Sequence, residues 1–196
     1  DNPVAAGIAR FKDPGPEGVA ARQAVDAALA LKNTEFNAQG VEMNQRYVSQ
    51  AVVPDPAAGE EVWRRDAQLH LQPTTRPGAK IPHAWLVDRR GIRVSTLDVT
   101  GKGCFSVVTG LAGEAWAEAV RGLDLPCLRA VVIGQAGATD PYCSWQRIRE
   151  IAEAGALLVR PDGYVAWRHA GPVADAVEAR RLLAAALGTV LDWPLA

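Results

Sequence analysis

The second half of the chain alternates between two hydrophobic periods. Phe105-Ser-Val-Val-Thr109 and Leu128-Arg-Ala-Val-Val-Ile133 are nearly continuous in apolar residues, the pattern of strands buried on both faces. Between them, from Gly113 to Leu123, Trp116, Ala119, Val120 and Leu123 recur at i, i+3, i+4 and i+7, one stripe of an amphipathic helix. A second helix is expected over Tyr142 to Ala154, with Trp145, Ile148, Ile151 and Ala152 facing inward. Asp140 is its expected N-cap, Pro141 its first helical residue, and Gly155 its closing C′ residue. Ala156-Leu-Leu-Val159 and Tyr164-Val-Ala-Trp167 follow as strands, joined by the hairpin turn Arg160-Pro-Asp-Gly163 and therefore antiparallel. A last helix covers Ala174 to Leu191, burying Leu183, Leu187, Val190 and Leu191 and leaving Glu178, Arg180 and Arg181 wet. The order β-α-β-α-β-β-α predicts crossover connections, a mainly parallel sheet whose last pair is antiparallel, and helices on both faces. That is an α/β, thioredoxin-like core.

The first hundred residues hold only short elements. Asp1 to Pro16 reads as irregular, because it is rich in Gly and Pro. Glu17 to Lys32 reads as an Ala-rich helix with Val25 and Leu29 on its buried stripe. Thr34 to Gln50 is polar and dense in amides, with few residues to build a core. Ala51-Val-Val-Pro-Asp-Pro56 is a short strand ending at prolines, and Ala57 to Ala67 a charged loop. Gln68 to Gln72 alternates, His83 to Val87 is a short strand, Asp88 to Gly91 a turn, and Arg93 to Val99 a further strand. So much irregular chain points to a leader, residues 1–70, that lies against protein outside this sequence, followed by a domain over 71–196. The chain opens on Asp1 rather than Met, as expected of a processed or excised piece.

Composition narrows the class. A chain of 196 residues buries roughly 70% of its unfolded surface, so its core needs no disulfide staples. Basic and acidic residues number 21 and 22, net −1, and no basic run exceeds two residues, so no nucleic-acid partner is expected. No apolar run approaches the roughly 20 residues of a membrane span, and no membrane partner is expected. Three widely spaced cysteines fit a reducing, cytoplasmic compartment.

The fold invites a search for thiol chemistry. Active members need Cys-x-x-Cys at the junction of the first core strand and its helix, where the helix N-terminus lowers the thiol pKa. Here that junction is Thr109-Gly-Leu-Ala-Gly-Glu114, without cysteine. Cys104 precedes the strand and Cys127 starts another. Only Cys143, expected in the first turn of the second helix, has a pKa-lowering position. His70, His83 and His169 have no metal-ligand spacing, and Gly134-Gln-Ala-Gly137 lacks the pattern of a phosphate turn. No catalytic, cofactor-binding or metal-ligating residue is assigned. Trp116 and Trp145 fall on core stripes, whereas Trp63, Trp85, Trp167 and Trp193 are open to an interface role.

Three stretches carry a resemblance. Phe36-Asn-Ala-Gln-Gly-Val-Glu-Met-Asn-Gln-Arg-Tyr-Val-Ser49 is the first, and Arg76-Pro-Gly-Ala-Lys-Ile-Pro-His-Ala-Trp-Leu86 with Ser95-Thr-Leu-Asp98 the second. The third is Gly155-Ala-Leu-Leu-Val-Arg-Pro-Asp-Gly-Tyr-Val-Ala-Trp-Arg168. Together, over about residues 17–190, they resemble the C-terminal third of flavin-dependent aromatic hydroxylases, nearest the phenol hydroxylase and 2,4-dichlorophenol 6-monooxygenase branch. The resemblance implies a parent enzyme that binds FAD in an N-terminal domain, takes electrons from NADPH and hydroxylates a phenol ortho to its hydroxyl. It implies a redox-inert C-terminal domain that packs on the flavin and substrate domains and contributes to contacts within a homo-oligomer. The flavin fingerprint G-x-G-x-x-G occurs nowhere in the chain, so no catalytic residue is carried over. His83, Trp85, Arg46, Tyr47, Trp116, Trp145 and Trp167 are the candidate interface or structural residues. Two rivals accompany this reading: a stand-alone thiol reductase or peroxidase using Cys143, and a free-standing interaction module.

Overall fold

The computed structural model describes residues 3–193. It begins with helices α1 (Pro3–Lys12), α2 (Pro16–Phe36) and α3 (Gln39–Met43). The first is a correction to the irregular segment expected there. Its proline stands at the first helical position, where no N–H is needed, and most of the residues after it favour helix. Arg22 Nη1 donates to Phe11 O and Asp13 O, both at 2.8 Å, and so ties the end of α1 to α2. Val25 and Leu29 do not form a buried stripe. They are 42% and 62% exposed, because α2 packs on α1 and no other described residue covers that side.

Residues 44–84 run as extended chain and turns with one 3₁₀ turn at Pro56–Ala58. Neither 51–54 nor 68–72 is a strand. Val53 N–H nevertheless donates to Ala166 O at 2.7 Å. A small hairpin follows, β1 (Trp85–Val87) antiparallel to β2 (Arg93–Ser95). The strand expected through Val99 stops at Ser95, where α4 (Thr96–Val99) begins. The cause is a capping box: Ser95 Oγ accepts from Leu97 N–H at 3.0 Å and Asp98 Oδ2 from Ser95 N–H at 2.9 Å.

The predicted β-α-β-α-β-β-α order then appears as β3 (Phe105–Thr109), α5 (Glu114–Leu123), β4 (Leu128–Val132), α6 (Ser144–Ile148), β5 (Ala156–Val159), β6 (Val165–His169) and α7 (Ala176–Leu191). The sheet is mixed, in the order β4-β3-β5-β6. Only β3 and β4 are parallel, in register Phe105↔Leu128 through Thr109↔Val132, and the expectation of a mainly parallel sheet is thereby corrected. The reason lies in the connections. Helix α5 returns the chain to the starting end of the sheet. The segment containing α6 stays at the end where β4 finishes, so β5 must run back antiparallel to β3.

Helix α6 has five residues instead of the thirteen expected over 142–154. Asp140 still serves its N-terminus, accepting from Ser144 N–H at 2.8 Å and Gln146 N–H at 3.1 Å, but the cap position belongs to Cys143, at φ 53°. The helix cannot continue past Arg149, because Glu150 sits at φ 52°. Ile151 is buried from the following turn, and Ala152 is exposed. Gly155 is not a left-handed C′ residue; it opens β5 where a Cβ would stand 2.8 Å from both His169 O and Ala170 O.

The core lies on both faces of the sheet. Under α5 and α7, Val107, Trp116, Leu158, Leu183 and Leu187 pack together. Val190 and Leu191 are only half-buried and exposed, and Ala179 and Ala186 take the buried places instead. On the other face, Ile81, Leu86, Val108, Val131, Leu157 and Trp145 form the second cluster beneath α6 and the β1–β2 hairpin. The β6 edge is covered: Gly78 N–H bonds Val165 O and Val165 N–H bonds Ala79 O, each at 2.8 Å.

Candidate functional site

The junction of β3 and α5 is where helix-terminal N–H groups would serve a reactive group in this architecture. Here two loop amides just ahead of the helix, Gly110 and Leu111, serve Glu153 of the same chain. Leu111 N–H donates to Glu153 Oε1 at 2.7 Å, and Gly110 N–H donates to Glu153 O at 3.2 Å. Arg149 Nη1 pairs with the other carboxylate oxygen. Burial disfavours the charged form, but the bonds from Arg149 and Leu111 outweigh it and hold the Glu153 carboxyl below its ordinary value. Gly110 is required, since a Cβ there would overlap Glu153. The junction is thus filled, and no thiol is near it. Cys104, Cys127 and Cys143 are all free, the first half-buried and the other two exposed.

A polar seam joins the leader to the sheet. Arg168, on β6, is 7% exposed at its side chain and donates from Nε and Nη2 to Asp55 Oδ2, each at 2.7 Å. Its Nη1 lies 3.3 Å from Glu150 Oε2. That oxygen also accepts from Thr74 Oγ1 at 2.6 Å and Thr75 N–H at 2.9 Å, and both threonines are buried. The left-handed backbone at Glu150 aims its carboxylate at these groups. Within residues 46–63, Arg46 grips Glu61 with two bonds of 2.8 Å, and its guanidinium lies 5.1 Å from the Trp63 ring centroid. Gln72 Nε2 adds a third bond to Glu61 at 3.0 Å. Against burial, these donors hold the Glu61 carboxyl low.

The other sequence-predicted residues fall into four separate places. Tyr47, 47% exposed, meets Tyr164 edge-on at 4.7 Å, and Tyr164 Oη donates to Gln45 Oε1 at 3.3 Å. Burial first, and Tyr47 second, raise the Tyr164 hydroxyl above its usual range. His83 and Trp85 form an exposed patch with ring centroids 4.6 Å apart; His83 Nδ1 lies 2.7 Å from Ser95 Oγ, and the Arg93 guanidinium stacks on Trp85 at 4.3 Å. Trp116 is fully buried, donates Nε1–H to Ala154 O at 2.9 Å and meets half-buried Trp167 at 5.6 Å. Trp145 is buried in the opposite cluster, far from these. Glu150, Glu153, Arg168, Thr74 and Thr75 were not readable as partners. Apart from the local Arg149–Glu153 pair, their bonds span 18 to 113 residues of sequence, and only the folded chain brings them together.

Gly134-Gln-Ala-Gly137 is a closed turn, with Gly134 N–H bonded to Ala138 O at 2.8 Å and Gln135 N–H to Val132 O at 3.4 Å. Among the described residues no group of three or more His, Cys, Asp or Glu side chains is placed to hold a metal, and no helix is long and apolar enough to cross a membrane.

Comparison with known proteins gives a consistent result. The family model described as aromatic-ring hydroxylase, C-terminal, matches residues 74–194. The 2,4-dichlorophenol 6-monooxygenase of Delftia acidovorans is 47% identical over 167 residues, covering 82% of this chain and 28% of that protein. The phenol 2-monooxygenase of Pseudomonas sp. strain EST1001 is 44% identical over 179 residues, covering 86% and 28%. Among solved structures, the flavin-dependent monooxygenase PieE, crystallised in complex with FAD and substrate, superposes with a TM-score of 0.77 at 40% identity, covering 95% of this chain and 32% of that one. The chain therefore spans less than a third of each relative's length.

Proposed function

This chain belongs to the aromatic-ring hydroxylase family, as its C-terminal domain, and on that premise we propose that it is the non-catalytic domain of an FAD- and NADPH-dependent monooxygenase that hydroxylates a phenol ortho to its hydroxyl. The observation that carries the reading is the 47% identity to a 2,4-dichlorophenol 6-monooxygenase along 82% of the chain. A chlorinated phenol is the substrate this favours. The strand order and the single parallel pair support a thioredoxin-like ancestry for residues 71–196. Residues 1–70 then serve as the join to the flavin-bearing part, which agrees with the exposed apolar side of α2.

The residues present do not fit FAD. A dinucleotide needs a glycine-rich strand-to-helix turn whose free amides meet the pyrophosphate. The β3–α5 junction, Thr109-Gly-Leu-Ala-Gly-Glu114, lacks that glycine pattern, and its Leu111 amide is taken by Glu153, whose charge repels a phosphate. No chemical step is therefore routed through this chain. Its work is to bury surface on the flavin and substrate domains and on a second subunit of a homo-oligomer. Exposed free Cys127 and Cys143 suit a cytoplasmic location.

The test has two arms. The chain is titrated with FAD and followed by flavin fluorescence, and it is mixed with a 2,4-dichlorophenol 6-monooxygenase shortened by its own C-terminal domain. Co-elution with the shortened enzyme and no flavin binding by the chain alone are expected. Stoichiometric FAD binding by the chain alone would overturn the reading.

A further inference from the structure

The two edges of the sheet are treated differently. The β6 edge is covered by Val53, Gly78 and Ala79. The β4 edge has no neighbour among the described residues. Phe105 N–H bonds Cys127 O and Ile133 N–H bonds Thr109 O, which fixes the parallel ladder: Arg129 and Val131 aim their backbone groups at β3. Ala130 N–H and C=O therefore point outward, and among the described residues no other backbone group bonds them.

The surroundings of this edge are specific. A cavity of about 510 Å³ straddles it, flanked by Arg89, Arg121 and Arg129. A single carboxylate, Glu114, lines it, and that one is paired with Arg121 at 2.8 Å. Arg129 donates only to neutral oxygens, Ser106 Oγ at 3.3 Å and Gly101 O at 3.1 Å, and Arg89 donates to Ala136 O at 3.1 Å. Two guanidinium charges thus stand beside an open strand without a carboxylate partner among the described residues. A charged edge ordinarily blunts strand pairing. Here the charges frame a cavity whose strand residue is an alanine, which leaves room for an incoming chain. We propose that β4 accepts an extended, acidic polypeptide segment as an added strand, its backbone bonding Ala130 and its carboxylates meeting Arg89 and Arg129. The charge rules out a basic segment, and the outward N–H and C=O of Ala130 select a peptide backbone over the phosphates of a nucleic acid. It also disfavours a second copy of β4, which would set the same arginines against each other.

The probe is a fluorescein-labelled ten-residue peptide of alternating Glu and Val, read by anisotropy with the full chain. Three comparisons accompany it: its Lys/Val counterpart, the Glu/Val peptide with its central Val replaced by Pro, and sedimentation of the chain alone. The Glu/Val peptide binds at least about tenfold tighter than either relative. R89E/R129E weakens it by at least about tenfold, while circular dichroism and the melting temperature stay near wild type. A130P, at an edge position that tolerates proline, weakens it similarly. If A130P does not fold, the proline-bearing peptide decides the backbone contribution by itself. Equal binding of the proline-bearing peptide would overturn strand addition. No binding of the Glu/Val peptide, or insensitivity to R89E/R129E, would overturn the site. Reversible dimerisation lost in A130P would overturn the occupant in favour of a second copy.

Discussion

The seam at Arg168 permits a quantitative test of how the leader is held. The guanidinium is 7% exposed at its side chain, and Asp55 and Glu150 are 16% and 39% exposed. Two unit charges about 4 Å apart attract by about 4 kcal/mol at an effective dielectric of 20. The Asp55 contact approaches that limit, because both partners are largely dry, whereas water screens Glu150. Arg168→Met keeps the aliphatic stem and removes the charge, leaving Asp55 partly buried and uncompensated. We expect a loss of about 2–4 kcal/mol, toward the lower end of what breaking a buried pair costs. Asp55→Leu alone should cost less, because Arg168 retains Glu150. The double variant should recover part of the loss, with a coupling energy of about 1.5–3 kcal/mol. Urea unfolding followed by tryptophan fluorescence measures all four corners of the cycle, with Trp167 beside Arg168 as the reporter. If the leader detaches before the sheet melts, the single variants also show a smaller m-value. A coupling below about 0.5 kcal/mol would mean that the pair behaves as an ordinary surface ion pair, and the argument from burial would fail.

Three further outcomes follow from the same structure. Trp116→Ala should cost about 3–5 kcal/mol in the same assay, since the ring is fully buried and its Nε1–H bond to Ala154 O is lost; a cost under 1 kcal/mol would contradict its place in the core. The Glu61 and Glu153 carboxyls are held low in the folded chain, so their contribution is complete above the ordinary glutamate pKa and is lost as pH falls through their lower folded values. Melting temperature should therefore drop on acidification below about pH 4.5, and Glu61→Gln should make that drop shallower; an unchanged pH slope would refute the assignment. Gly78→Ala should destabilise by about 1–3 kcal/mol, because φ is 90° there and a Cβ would overlap Tyr47 O, and an equilibrium unfolding curve matching wild type would show that the loop relaxes freely.

The parts of the fold that were legible are those whose residues decide their own environment. The strands over 105–109 and 156–159 were readable to the residue, since continuous apolar runs can only be buried on both faces. Helix α5 was readable from its stripe, because Trp116, Ala119 and Val120 tolerate one orientation only. What escaped depended on distant partners. The α6 segment looks helical to Ala154, yet Glu150 gives up helical backbone to reach Thr74 and Thr75, some 75 residues away. The apolar side of α2 predicts burial, and its cover is absent from the described residues. The capping box at Ser95 and Asp98 was a local signal, available from its spacing alone, that ends β2 early. The candidate site was the least legible part. The absence of cysteine at the β3–α5 junction was plain in the sequence, but its replacement by Glu153 from 42 residues away was not.

That replacement has a consequence for how such a domain can change over generations. A cysteine arising at Leu111 would find the amide that should steady its thiolate already spoken for, and an anion lodged beside it. Acquiring sulfur reactivity there would demand that Glu153 be lost together with the new thiol's arrival. Losing Glu153 first leaves Arg149 without its partner and Leu111 N–H unbonded, so neither order of events is neutral. The side chain at 153 thus acts as a latch against that change.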